Sequence, residues 1–402
     1  MPSMEREDDG RPMKQDAALS TAREIMLDFA DATGISSAGT PPRRYLWTDA
    51  FAVCTFLALD GQAGTRYKLL ALRLINQVHG ILGRHRQDDR RTGWLSGLDD
   101  RLGAMHPTRG GLRIGKSLNE RSPADPFDER REWDRDGQYY HYLTKWMHAL
   151  NRAGRVTGET TYNRWAIELA KTAHARFTYA PPAGGRKRMY WKMSIDLSRP
   201  LVPSMGHHDP LDGFITYSEL QEAAGDEPQR SAEYDLGAEI ADLAAMCRDV
   251  DWATDDPLGL GGLLSDAYRV GQLVVWGRFD QNEFLEDLLS SSLTGMESLA
   301  AKNPFAGPAG RRLAFREFGL SIGLHAVRKL KKLAEEHPGP FGDARRLHSR
   351  LESLMGYGRF IETIEQFWLE PANRETGSWT EHRDINWVML ATSLVPDGFL
   401  SV

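Results

Sequence analysis

The chain has 402 residues, 41% hydrophobic and 26% charged, with a formal net charge of −6. This balance fits a globular protein with a sizeable core and excludes a disordered chain or the basic footprint of a nucleic-acid binder. Only Cys54 and Cys247 occur, so a disulfide framework is excluded; no run of 18 apolar residues offers a membrane span. The first residues carry no apolar signal core, so a cytoplasmic protein with no nucleic-acid or membrane partner is expected.

Residues 1–16, "MPSMEREDDGRPMKQD", are polar and charged and predict a disordered tail before a single domain over 17–402. Helical periodicity then recurs almost without pause. "AALSTAREIMLDFADATG" (17–34), "YLWTDAFAVCTFLAL" (45–59) and "TRYKLLALRLINQVHGIL" (65–82) each place apolar residues at helical spacing and close at Gly, Asp or loop residues. Further helices are predicted over 138–154, 159–178, 214–223, 231–248, 258–276, 281–299, 310–335, 341–355, 358–370 and 384–394. Period-2 alternation is scarce, with one small β-hairpin expected in "RKRMYWKMSID" (186–196). About a dozen paired helices fit either an open solenoid or a closed toroid of helical hairpins. Long loops rich in charged and aromatic residues (84–136, 186–213, 371–386) favour the closed, all-α toroid, because such loops in compact domains carry function.

The densest polar segment is "DERREWDRDGQYYHYLTKWMH" (128–148). Helical spacing gives one apolar stripe through Tyr139, Leu143, Trp146 and Met147, and a second face through Gln138, His141, Lys145 and His148. Asp134 or Asp136 explains a cap, but the second face exceeds what capping requires. "SIDLSRPLVPSMGHHDPLDGFITY" (194–217) reads as a loop through its prolines and glycines and carries His207, His208, Asp209 and Asp212 just before a helix. Adjacent His-His-Asp ligands seldom share one ion and no HExxH spacing occurs, so neither metal nor cofactor is expected. "HGILGRHRQDDRR" offers Arg86 and Asp88. "MHPTRGGLRIGKS" fails as a phosphate loop by one residue, although His106, Arg109, Arg113 and Lys116 form a possible basic rim for an anionic group. Glu317 interrupts an apolar helix and needs a partner, expected from another helix. Arg383 and Asp384 precede the last helix, Asp384 as a candidate cap. Trp47, Trp133, Trp146, Trp191 and Trp379 all flank polar clusters.

"YLWTDAFAV" (45–53), "DRDGQYYHYLTKW" (134–146) and "EHRDINWVML" (381–390) resemble the way the six-hairpin glycosidase superfamily places polar groups at inner-helix starts. The resemblance lies in layout, over roughly residues 40 to 400, and implies an (α/α)6 toroid with its site in the funnel and a small carbohydrate or glycoside as substrate. On that reading an inverting hydrolase is expected, with Asp136 as acid, Asp209 or Asp212 as base and Glu317 as substitute for either. His141 and His207 join these as candidate catalytic residues. Trp47, Asp49, Arg86, Arg113, Lys116, Gln138, Tyr140, Lys145, Trp191, His208, Arg383 and Asp384 are the expected substrate contacts. A sugar isomerase or epimerase using His141, His207, His208 and His382 is the second expectation. A non-catalytic helical binding protein would lack convergent carboxylates. A terpene-cyclase reading is weakened because "DDR" and "TDDPL" lack the follow-up acid of a DDxxD motif.

Overall fold

The apolar-periodic stretches are helices in the computed structural model, which describes residues 11–36, 39–60, 65–225, 232–277, 282–342 and 345–402. In chain order the first are α1 (Arg11–Ala32), α2 (Leu46–Asp60) and α3 (Arg66–Leu82), then the short α4 (Asp100–Met105) and α5 (Glu129–Asp134). α6 (Tyr140–Thr157), α7 (Thr160–Phe177), α8 (Asp209–Ala223) and α9 (Gly237–Met246) follow. α10 (Pro257–Val275), α11 (Asn282–Ala301), α12 (Ala314–Glu336), α13 (Arg345–Met355) and α14 (Arg359–Leu369) continue the pattern. α15 (Gly377–Thr380), α16 (Arg383–Leu394) and α17 (Asp397–Leu400) complete the chain.

Six helices close a ring. α2 packs on α6, α6 on α8, α8 on α10, α10 on α12, α12 on α16, and α16 returns to α2. A second layer surrounds them: α1 covers α16, α3 covers α2, α7 covers α6, α9 covers α8, α11 covers α10, and α13 and α14 cover α12. This is the (α/α)6 toroid that the resemblance implies. The burial agrees, since α8 is buried without interruption from Asp209 to Leu220 and α2 nearly so, as helices surrounded by other helices must be. α17 lies across α2 and α10 inside the ring, closing it at the far end.

The structure departs from the sequence reading in several places, and the expected loops 84–136 and 371–386 hold the short helices α4, α5 and α15. α1 opens at Arg11, so residues 11–16 are helical; residues 1–10 of the expected tail lie outside the described residues. The hairpin expected within 186–196 does not form. Instead β3 (Arg188–Met189) pairs with β2 (Thr178–Tyr179), while β4 (Lys192–Met193) pairs with β1 (Gln138–Tyr139) and β5 (Pro200–Val202), all antiparallel. α8 begins at Asp209, five residues before the expected start, because Pro210 fits the first helical turn, where no N–H is needed. That shift moves two candidate carboxylates from a loop to a helix N-terminus. Finally, the predicted 231–248 helix starts at Gly237, and its first residue lies outside the described residues.

Candidate active site

The N-terminal ends of all six inner helices converge on two adjoining cavities. A floor cavity of about 250 Å³ is lined by His141 and Lys145 of α6, Asp209 and Asp212 of α8, Ser265 and Asp266 of α10, and by His208. A mouth of about 820 Å³ is lined by Asp49, Lys116, Trp133, Trp191, His382, Arg383 and Asp384. Trp47, His141 and Leu258 border both, so the two form one funnel. Glycines shape the floor: a Cβ on Gly261 would stand 2.0 Å from the Gly319 carbonyl oxygen, so only glycine lets α10 approach α12 this closely.

Charge is concentrated on the α6–α8–α10 wall. Lys145 Nζ donates to Asp212 Oδ1 at 2.8 Å. Burial pushes the Asp212 carboxyl up, but the charge and hydrogen bond of Lys145, aided by Asp266 and Arg269, outweigh it and hold the group below its ordinary value. Asp209, one helical turn earlier, has no such partner. Its Oδ1 stands 3.6 Å from His141 Nδ1, and its buried Oδ2 has no hydrogen-bond partner among the described residues. Burial first, and the Asp212 charge second, raise the Asp209 carboxyl to about 8, so it carries a proton at neutral pH. Asp266 is raised to about 7 by the same two causes. His141 is 35% exposed at its side chain, but that surface faces the funnel, and burial lowers it to about 4, leaving a neutral imidazole.

Beneath this wall lies a closed polar chain. Arg269 donates to Asp266 at 2.9 Å, to Glu219 at 2.6 Å and to Thr216 at 3.0 Å. Glu219 also meets His148 Nδ1 at 3.0 Å, and His148 Nε2 reaches the Phe399 carbonyl at 2.8 Å. Burial opposes the Glu219 charge, yet Arg269 and His148 bring that carboxyl down to about 2.

Several expected site residues are elsewhere. Asp136 is fully buried and lines neither cavity. It accepts from Arg113 at 2.9 Å, from Arg86 at 3.3 Å and from the Gly115 and Gly137 amides at 3.0 Å each. Asp136, Arg86 and Arg113 are therefore one structural ion cluster that pins the 84–118 loops. Glu317 is held bidentately by Arg312 at 2.8 and 2.6 Å and by the Trp368 indole at 2.8 Å. Its charged partner lies just before α12 itself, while the expected partner from another helix is the Trp368 indole of α14, and Glu317 lines neither cavity. Gln138 is buried and bonded to Leu112, Gly110 and Ile195 backbone. Tyr140 is buried against Phe177, and His207 packs on His208 and Trp252 outside the lining. His106 and Arg109 pair with Glu168 and Glu233, so the expected basic rim reduces to Lys116. Asp384 sits in the first turn of α16 with no side-chain cap, salt-bridged to Arg43 at 3.1 Å. Asn386 instead bridges Phe315 N and the Trp379 carbonyl.

The helix face expected from the sequence is thus half right. His141 and Lys145 face the funnel, and His148 turns to the core chain. Asp266, Arg269 and Glu219 were not singled out from the sequence. The i, i+3 pair Asp266–Arg269 inside the otherwise apolar "GLLSDAYRVGQLVV" was the available signal.

No helix among the described residues is long and apolar enough to cross a membrane. No family model and no curated protein matches the sequence. Among solved structures, the chain is similar to the cellobiose 2-epimerase from Spirochaeta thermophila DSM 6192, with a TM-score of 0.48 and 13% identity, over 90% of this chain and 87% of that one.

Proposed function

We propose that this protein is a carbohydrate-active enzyme that cleaves a glycosidic bond, with Asp209 as the proton donor. One observation carries the reading: Asp209 is a buried carboxyl lining the funnel, raised to about 8, whose Oδ2 has no hydrogen-bond partner among the described residues. A group in that state gives its proton to a leaving oxygen at neutral pH. Asp212, kept ionised by Lys145, is the complementary carboxylate that bonds to the anomeric carbon as the leaving oxygen takes the Asp209 proton; Asp209, now ionised, then takes a proton from the water that hydrolyses this ester. Three-residue helical spacing holds the two Cβ atoms about 5–6 Å apart. Neighbouring carboxyls on one helix turn suit the closely spaced pair of a retaining enzyme better than the wide pair of an inverting one, so Asp209 stays the acid and inversion is dropped. Convergent carboxylates in a deep funnel also count against a non-catalytic scaffold.

A second reading rests on His141. As a neutral imidazole open to the funnel it is a competent base for removing a proton from a carbon beside a sugar carbonyl, and His382 borders the mouth as a second candidate. One experiment separates the two. Purified protein is incubated in deuterated water with a panel of aryl glycosides, oligosaccharides and free sugars. Release of reducing sugar that is lost in Asp209→Asn supports cleavage. Incorporation of deuterium at a sugar carbon without release, lost in His141→Gln, replaces cleavage with epimerisation.

A further inference from the structure

The acid and its neighbours account for one wall of the funnel and leave an aromatic wall without a role. Trp133, Trp191, Tyr139, Tyr142 and Trp47 follow one another with ring centroids 5.4, 4.9, 5.0 and 6.5 Å apart. All five line the mouth, and Trp47 continues into the floor. The outer member, Trp133, is 54% exposed. Leaving a large ring in water forfeits burial energy, so packing does not account for it.

The wall is rigid. Lys192, fully buried, donates to the Glu132 and Arg135 carbonyls and pairs with the Glu132 carboxylate at 2.9 Å, while Arg121 takes that carboxylate's other oxygen at 3.1 Å. These contacts pin α5 and so present Trp133 in a fixed place. The Trp191 indole is oriented by Ser204 Oγ at 2.9 Å. Beside the rings, the buried hydroxyls of Tyr139 and Thr48 have no partner among the described residues, and both residues line the mouth. The inner end is a dead end: Phe399 of α17 stacks on Phe51 at 4.1 Å and forms part of the floor, whose volume of about 250 Å³ is under a third of the mouth's 820 Å³. The rim charges largely neutralise each other, Arg43 with Asp384 and Arg316 with Asp256, so the mouth suits a neutral ligand.

Building on the sugar-active reading above, we propose that the enzyme acts at the end of a linear, neutral oligosaccharide. The terminal ring enters the floor beside Asp209, and the rings that follow stack along the aromatic wall out to Trp133. Apolar sugar faces meet the rings, and sugar hydroxyls meet Tyr139, Thr48 and Lys116.

The test uses the full chain with α- and β-linked gluco-, manno-, galacto- and xylo-oligosaccharides of one to six units, following products and kcat/KM against chain length. The expected result is action at the chain end only, with kcat/KM rising at least several-fold as the wall fills. Trp133→Ala and Trp191→Ala should bring the long-to-short ratio towards one, and Trp133→Phe should retain most of it; melting curves establish that each variant is folded. Turnover of short sugars with no length dependence in the parent protein overturns this inference and leaves the sugar-active reading intact. Internal cleavage overturns the end-acting mode. Absence of binding and turnover across the whole panel overturns the underlying reading itself.

Discussion

Asp209 and Asp212 share a helix turn and a cavity, yet their surroundings drive them apart. Lys145 neutralises Asp212 at 2.8 Å, while at Asp209 burial and the Asp212 charge outweigh the Gly206 backbone and the more distant Lys145. Replacing Asp209 with Asn should therefore lower kcat/KM by about 10²–10⁴-fold, the range typical of a lost general acid. The same change should stabilise the protein in alkali. A carboxyl raised in the fold contributes stability that is complete below its unfolded value and is lost as pH rises towards about 8. Asn cannot ionise, so its melting temperature at about pH 9 should exceed that of the parent protein. An equal or lower value would mean that Asp209 is not held neutral. Asp136 and Glu317 should behave in the opposite way. Asp136→Asn or Glu317→Gln breaks a buried ion pair and should cost about 3–5 kcal/mol, seen in urea unfolding, while the pH–rate profile keeps its shape. A displaced profile would return either residue to the site.

At the scale of elements, the close crossing of α10 and α12 depends on Gly261, Gly319 and Gly323. A methyl group on Gly261 meets carbonyl backbone at 2.0 Å, and nothing there can rotate away. Gly261→Ala should destabilise by about 1–3 kcal/mol through overpacking. Because Gly261 and Gly319 line the floor, the surviving enzyme should also show a raised KM. An unaltered melting curve would contradict the packing described. The early start of α8 belongs to this scale too. Proline-rich sequence before a helix reads as loop, but Pro210 is accommodated in the first turn and carries Asp209 and Asp212 onto the wall.

The whole molecule gathers opposed titrations into one core. Asp209 and Asp266 are raised to about 8 and about 7, so their contribution fades as pH climbs from about 4 through those values, at up to about 1.4 kcal/mol per pH unit for each group. Glu219 is lowered to about 2 and Asp212 is lowered as well, so their contribution is present above the ordinary carboxylate range and is lost as pH falls towards about 2. Equilibrium unfolding across pH should give a dome falling on both sides, and Asp209→Asn should flatten only its alkaline limb. A flat alkaline limb in the parent protein would count against the buried neutral carboxyls.

Sequence alone determined the helices, because 3.6-residue periodicity and chain punctuation are local properties that each segment carries by itself, and the long polar loops favoured their closure into a ring. It also placed His141, Lys145, Asp209, Asp212 and Trp47 among the candidates: His141 and Lys145 on a polar helix face, the two aspartates in a loop expected before a helix, and Trp47 beside a polar cluster. Only the tertiary structure decided which carboxylates face the funnel. Asp136 and Asp209 look alike in sequence, each near a glycine at a helix approach. Arg113 and Arg86 close on the first from 23 and 50 residues away, while the side chain beside the second is the neutral His141, at 3.6 Å. Protonation state and access follow from such distant partners, and no local pattern encodes them.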